Sequence, residues 1–92
     1  IVLHVQIEMN TQERRTAEAF KRVLKASPEI QAAWDVTGET DYLLTVAVPS
    51  MEDYEAFCLR ELTTEAGVRS FQSMIVIREV VGFDPARRTL RR

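Results

Sequence analysis

The residues of this 92-residue chain best suited to recognition chemistry are Gly38, Glu39, Thr40, Asp41 and Tyr42, a turn between two apolar runs. Gly38 can adopt backbone angles that aim N–H groups at a small anion, and the Glu39 and Asp41 carboxylates can accept hydrogen bonds from an ammonium group. A short turn with these parts suits both ends of an amino acid. The same residues also make an ordinary hairpin turn, with Gly38 present for its backbone angles and the two carboxylates solvated. Tyr42 reads first as an amphipathic core or interface residue and second as a site residue.

Other reactive side chains lack partners in the sequence. His4 has no cysteine or second histidine with which to build a metal set, and is read as a surface or interface histidine. Cys58 falls on the apolar stripe of a helix and is read as a small buried hydrophobe; being the only cysteine, it excludes an intramolecular disulfide. Trp34 follows a strand alternation and is expected in the core, with an aromatic ligand wall as the alternative. No catalytic residue, metal or cofactor is expected.

The elements that must position the turn follow from periodicity. Ile1, Leu3, Val5, Ile7 and Met9 alternate with Val2, His4, Gln6 and Glu8, which specifies a strand with one strongly apolar face. Asn10 and Glu13 read as an N-cap pair, after which Ala17, Phe20, Val23 and Leu24 recur at helical spacing until Ser27-Pro28 stops the helix. Ile30, Ala32, Trp34 and Val36 alternate with polar or small residues as a second strand. The turn then leads into a third strand, from Tyr42 to Val48. Ser50 with Asp53 caps a second helix, whose inward face is expected to be Met51, Tyr54, Phe57, Cys58 and Leu62, ending before Gly67. A last strand is expected from about Phe71 to Val81. The order β-α-β-β-α-β specifies an α+β, ferredoxin-like fold, with a four-stranded antiparallel sheet and both helices on one face.

Length allows one domain with a core, in a chain small enough to favour oligomerisation. A composition of 46% hydrophobic and 28% charged residues, with 3 Gly and 3 Pro, excludes a wholly disordered chain. No apolar run approaches the roughly 20 residues of a membrane span and no secretory signal precedes the fold, so a cytoplasmic location is expected, with no membrane partner. Net charge is −2, and Arg87, Arg88, Arg91 and Arg92 lie in the last six residues. Residues 1–83 are therefore read as an acidic folded body unlike a nucleic-acid binder. Residues 84–92 are read as a basic tail, either solvated or a phosphate-contacting arm. The start at Ile1, inside a strand, points to an excised or processed segment.

The sheet face away from the helices is not simply polar. Val2, Met74, Val76 and Val80 oppose the core-facing sets, and the third strand is apolar at nearly every position from Leu43 to Val48. Strands of that composition are buried on both sides, so at least a homodimer through the sheet is expected.

The run Val36-Thr37-Gly38-Glu39-Thr40-Asp41-Tyr42-Leu43-Leu44-Thr45-Val46, the aromatic-bearing helix after it, Gly67-Val68, and Ser73-Met74-Ile75-Val76-Ile77-Arg78-Glu79-Val80 together resemble the C-terminal effector domain of Lrp/AsnC transcription regulators, often called RAM. The resemblance covers Ile1 to Val81, and its most specific part is Gly-x-x-Asp-Tyr on the hairpin. It implies a domain that dimerises through its sheet, assembles further into tetramers or octamers, and binds an amino acid or related small effector between subunits. In that family DNA is bound by an N-terminal helix-turn-helix domain, which this chain lacks. For such an effector the chemistry of the hairpin loop assigns backbone N–H groups near Gly38 to the carboxylate and Asp41, with Glu39 as a second group, to the ammonium. The resemblance adds Gln72 and Ser73 as polar contacts from a neighbouring subunit.

Two other function classes share the fold. One is a small dimeric enzyme of monooxygenase or isomerase type, for which the chain lacks an acid–base set. The other is an ACT-like regulatory module attached to a metabolic enzyme.

Overall fold

The computed structural model describes residues 1–82 and Ala86. Its elements are β1 (Val2–Met9), α1 (Arg14–Ala26), β2 (Ile30–Asp35), β3 (Tyr42–Ala47), α2 (Met51–Glu61) and β4 (Val68–Ile75). The strands form one antiparallel sheet in the order β2-β3-β1-β4. This is the ferredoxin-like arrangement expected from the pattern.

The core lies between one sheet face and the helices. Leu3, Val5 and Ile7 of β1 pair with Val46, Leu44 and Tyr42 of β3, and all six are buried. Phe20 and Leu24 of α1 and Tyr54 and Phe57 of α2 close over them. The Phe20 and Tyr42 rings meet tilted, with centroids 5.3 Å apart. Burial makes Tyr42 ionisation harder and raises its pKa.

Ser50 caps α2 as expected, its hydroxyl accepting from the Asp53 N–H at 3.2 Å. Met51, expected inward, is exposed instead. The expected Asn10–Glu13 cap does not form. Glu13 holds the N-cap position of α1 without a side-chain cap, and the Thr11 hydroxyl accepts from the Glu13 N–H. The Asn10 N–H is used elsewhere, donating to the Gly67 carbonyl at 2.8 Å. Gly67 itself has a φ of +96°, and a Cβ there would stand 2.5 Å from Thr16 Cγ2, so both backbone angle and space require glycine.

Both edge strands carry one residue more than their inner neighbours. On β2, Ile30 pairs with Val46 but Ala32 pairs with Thr45, leaving Gln31 as a bulge. On β4, Val68 pairs with Met9 but Ser70 pairs with Glu8, leaving Arg69 as the extra residue. The β2 bulge overturns the expected burial of Trp34. Trp34 pairs with Leu43 on the face away from the helices and is 50% exposed. The last strand is also displaced, beginning three residues before Phe71 and ending at Ile75. Val76 makes one further bond, to the Val2 carbonyl, and residues 77–80 continue without ladder partners among the described residues. The expected basic tail, residues 84–92, lies outside the described residues apart from Ala86.

Candidate functional site

The β2–β3 hairpin closes over residues 36–41 at the end of the sheet where β1 finishes and β4 begins. Gly38 has a φ of +108° with nothing within 4 Å of the place a Cβ would take, so backbone angle alone selects glycine. The Asp41 N–H donates to the Ile7 carbonyl at 2.8 Å, continuing the β3–β1 ladder. One residue pair further, β3 has ended while the Met9 N–H still points to that side. The Asp41 carboxylate fills the gap, Oδ2 accepting from Met9 N at 2.7 Å. Asp41 thus ties the loop to β1 through a charge-assisted bond.

The residues singled out in the sequence fall on two faces. Gln72 pairs with Gln6 on the face away from the helices. Ser73 pairs with Val5 on the helix face, where its hydroxyl meets the Tyr54 hydroxyl. Tyr42 also points to the helix face and is buried. Glu39 and Gln72, distant in sequence, come together in a groove of about 230 Å³ at the hairpin rim. Thr40, Gln6, Glu8 and Phe71 share that groove. Of those four, only Thr40 belonged to the turn singled out in the sequence. Gln6 and Glu8 carried a signal, since they alternate with the core-facing residues of β1, but only the register shows that they flank Gln72. Glu8 is held at 3.3 Å by Arg69, the bulge residue of β4. With Ser70 also in its lining, the groove offers two carboxylates, two amides and two hydroxyls, and Phe71 borders it.

From the groove the open face runs to the other end of the sheet. His4 lies on it, its Nδ1 3.0 Å from Thr45 Oγ1 and its strand partner across β4 being Met74. Beyond, Val2, Met74 and the segment 76–81 line a broad trough of about 980 Å³. Ile77 and Val80 are 89% and 90% exposed. Among the described residues, no three or more His, Cys, Asp or Glu side chains are grouped to hold a metal ion. No helix there is long and apolar enough to cross a membrane.

The fold defines an α+β domain built on a ferredoxin-like sheet. Residues 3–85 match the model of the Lrp/AsnC ligand binding domain, and the chain belongs to that family. An uncharacterized HTH-type transcriptional regulator of Haemophilus influenzae is 32% identical over 77 residues, covering 84% of this chain and 46% of its own. The leucine-responsive regulatory protein of Escherichia coli is 30% identical over 80 residues, covering 87% of this chain and 49% of its own. The chain thus spans about half the length of the curated relatives it matches. Among solved structures, a transcriptional regulator of Neisseria meningitidis in complex with L-Met superposes with a TM-score of 0.80 at 27% identity, over 88% of this chain and 52% of that one. An AsnC family regulator of Agrobacterium tumefaciens gives 0.78 at 25% identity, over 88% of this chain and 52% of that one.

Proposed function

We propose that this domain is the effector-sensing and oligomerisation module of an Lrp/AsnC-type transcription regulator, that it carries out no chemistry, and that it binds an amino acid in the hairpin-rim groove. The observation that carries the reading is the meeting of Glu39 and Gln72 in one groove that opens onto an apolar, exposed sheet face. Burying an amino acid without replacing the hydrogen bonds of its charged ends costs several kcal/mol. Backbone N–H groups of the Gly38 turn supply donors for the carboxylate, and Glu39 supplies an acceptor for the ammonium. Gln6 and Gln72 add amide contacts. Asp41, with one oxygen committed to Met9, holds the loop in place and can lend its other oxygen to the ammonium. Tyr42 and Ser73 support the site from the opposite face.

A second copy covers the open face, because Trp34, Met74, Val76, Ile77 and Val80 there are too apolar and too exposed to be left to water. A ligand held at the rim of that contact favours the assembled state over the separated one, and a coupling of about 1–3 kcal/mol is enough to shift the oligomer balance. DNA contact falls to a helix-turn-helix unit outside this chain, and the regulator works in the cytoplasm. The relatives named above as transcriptional regulators support this reading over an enzyme or an enzyme-linked module.

The test is a melting-temperature panel of amino acids. A ligand at 100 times its Kd adds about 2.7 kcal/mol, of order 10 °C for a domain of this size. Glu39→Gln should abolish that shift while leaving the ligand-free melting temperature in place. An unresponsive wild type defeats the amino-acid reading.

A further inference from the structure

The bulge at Gln31 has a second effect, on the helix face of β2. Beyond it Ala33 pairs with Leu44 and Asp35 with Tyr42, so these residues lie on the α1 side while Trp34 is turned to the open face. An alanine thus stands on the side where unbroken alternation from Ile30 would put a tryptophan, and it is too small to fill the space. A cavity of about 390 Å³ results between α1 and the edge strand. Leu24, Ile30 and Ala33 give it apolar walls. Lys21 and Lys25, one helical turn apart on α1, also line it. Lys21 Nζ lies 3.3 Å from Asp35 Oδ2, whereas Lys25 makes no ion pair among the described residues.

Tyr42 completes the lining. It is 5% exposed, with its ring fixed against Phe20. Its hydroxyl has no hydrogen-bond partner among the described residues, although a phenol buried to that extent usually finds one. Burial raises the Tyr42 pKa, so the hydroxyl keeps its proton and is free to donate.

We propose that this cavity is a second ligand site, which takes a small carboxylate with an apolar body and no ammonium group. The carboxylate lies among Lys25, Lys21 and the Tyr42 hydroxyl, and the body rests on Leu24, Ile30 and Ala33. Two lysines against one aspartate leave a single positive charge, which matches a monoanion. An α-amino acid would bring its ammonium up to two lysines, with the one nearby carboxylate already held by Lys21. A phosphate would leave the apolar walls without a partner. Fatty acids and 2-oxo acids share the chemistry that fits. The cavity has no lining residue in common with the hairpin-rim groove, so the inference stands apart from the amino-acid reading of that groove.

The test is calorimetric titration of the 92-residue chain with a matched set: hexanoate, 2-oxohexanoate, hexan-1-ol, hexylammonium and L-norleucine. Hexanoate or 2-oxohexanoate should bind saturably below about 10 mM, the tighter of the two naming the source. L-Norleucine should not displace it. Tyr42→Phe keeps the ring and removes the one unpaired donor, and should weaken binding about tenfold with the melting temperature unchanged. Lys25→Gln should weaken it by a similar factor, about tenfold, and leave any amino-acid response of the melting temperature in place. Ala33→Leu should close the cavity and abolish carboxylate binding. The proposal is overturned if neither carboxylate binds, if hexan-1-ol or hexylammonium binds as well, or if L-norleucine displaces the bound carboxylate. Carboxylate binding that withstands both Tyr42→Phe and Lys25→Gln would overturn it too, by placing the ligand elsewhere.

Discussion

Along β1 the two faces of the sheet can be compared on one strand. Leu3, Val5 and Ile7 are completely buried under the helices, while Val2, His4, Gln6 and Glu8, their immediate neighbours, face outward. The first set finds every partner inside the chain. The second set changes character along the strand: Glu8 and Gln6 border a polar groove with Glu39 and Gln72, and His4 and Val2 border an apolar trough with Met74 and Val76. The two faces of a single strand thus differ in kind: one builds the core, and on the proposed reading the other is divided into a ligand end and a contact end.

The sharpest way to break this division is to truncate each face in turn. Leu44→Ala, on the buried face, should cost about 2–5 kcal/mol in urea denaturation. Met74→Asp, on the open face, should leave the fold intact by circular dichroism and reduce sedimenting mass. If Met74→Asp unfolds the chain, or leaves the mass unchanged, the two faces are not separable as described.

Next in size are two changes at the junction of the faces. Asp41→Ala strips the Met9 N–H of its acceptor and should lower stability by about 1–3 kcal/mol. Gly67→Ala combines a positive φ with a steric conflict against Thr16 and should lose a similar amount, about 1–3 kcal/mol. Both are measured by urea midpoint at constant m-value.

By contrast Glu39→Gln, in the same loop as Asp41, should stay within about 0.5 kcal/mol of wild type. Its effect should appear only in the amino-acid panel. Equal losses from Glu39 and Asp41 would erase the distinction between a ligand group and a loop anchor.

The smallest effect is a pH dependence on the helix side. Arg60 Nη2 lies 2.6 Å from Glu29 Oε2, and that bond holds the Glu29 carboxyl below its ordinary range. The unfolded chain therefore takes up this proton first as pH falls. The contribution is complete above the unfolded carboxylate value and is lost as pH drops through the lower folded value. Glu29→Gln should flatten the acid limb of a stability–pH curve below about pH 4.5, and solvent exposure of Arg60 keeps the change small.

Much of the fold was legible because β1, β3 and the buried stripes of α1 and α2 obey simple periods. The edges were not. Strict alternation sends Trp34 inward from Ile30, and nothing about Gln31 announces a bulge, so the inverted face of β2 was invisible. The run 74–81 has strand composition, yet its pairing with β1 ends at Ile75, with one further bond from the Val76 N–H to the Val2 carbonyl, and composition alone does not mark that end. The candidate site was half legible. Gly38, Glu39 and Asp41 could be picked out as a turn with useful groups, but Gln72 and Ser73 look alike in sequence, and only the register places one in the groove and the other beneath it.

The two bulges have a consequence for the life of the protein in a crowded solution. A regular edge strand is a template on which another chain can add itself, and repeated addition grows a fibre. Gln31 and Arg69 interrupt both outer strands of this sheet, so neither offers a long flat row of backbone groups. Deleting Gln31 would leave Ile30, Ala33 and Trp34 on their present faces and yet give β2 an even edge; such a chain should fold as well as wild type and bind thioflavin sooner on storage.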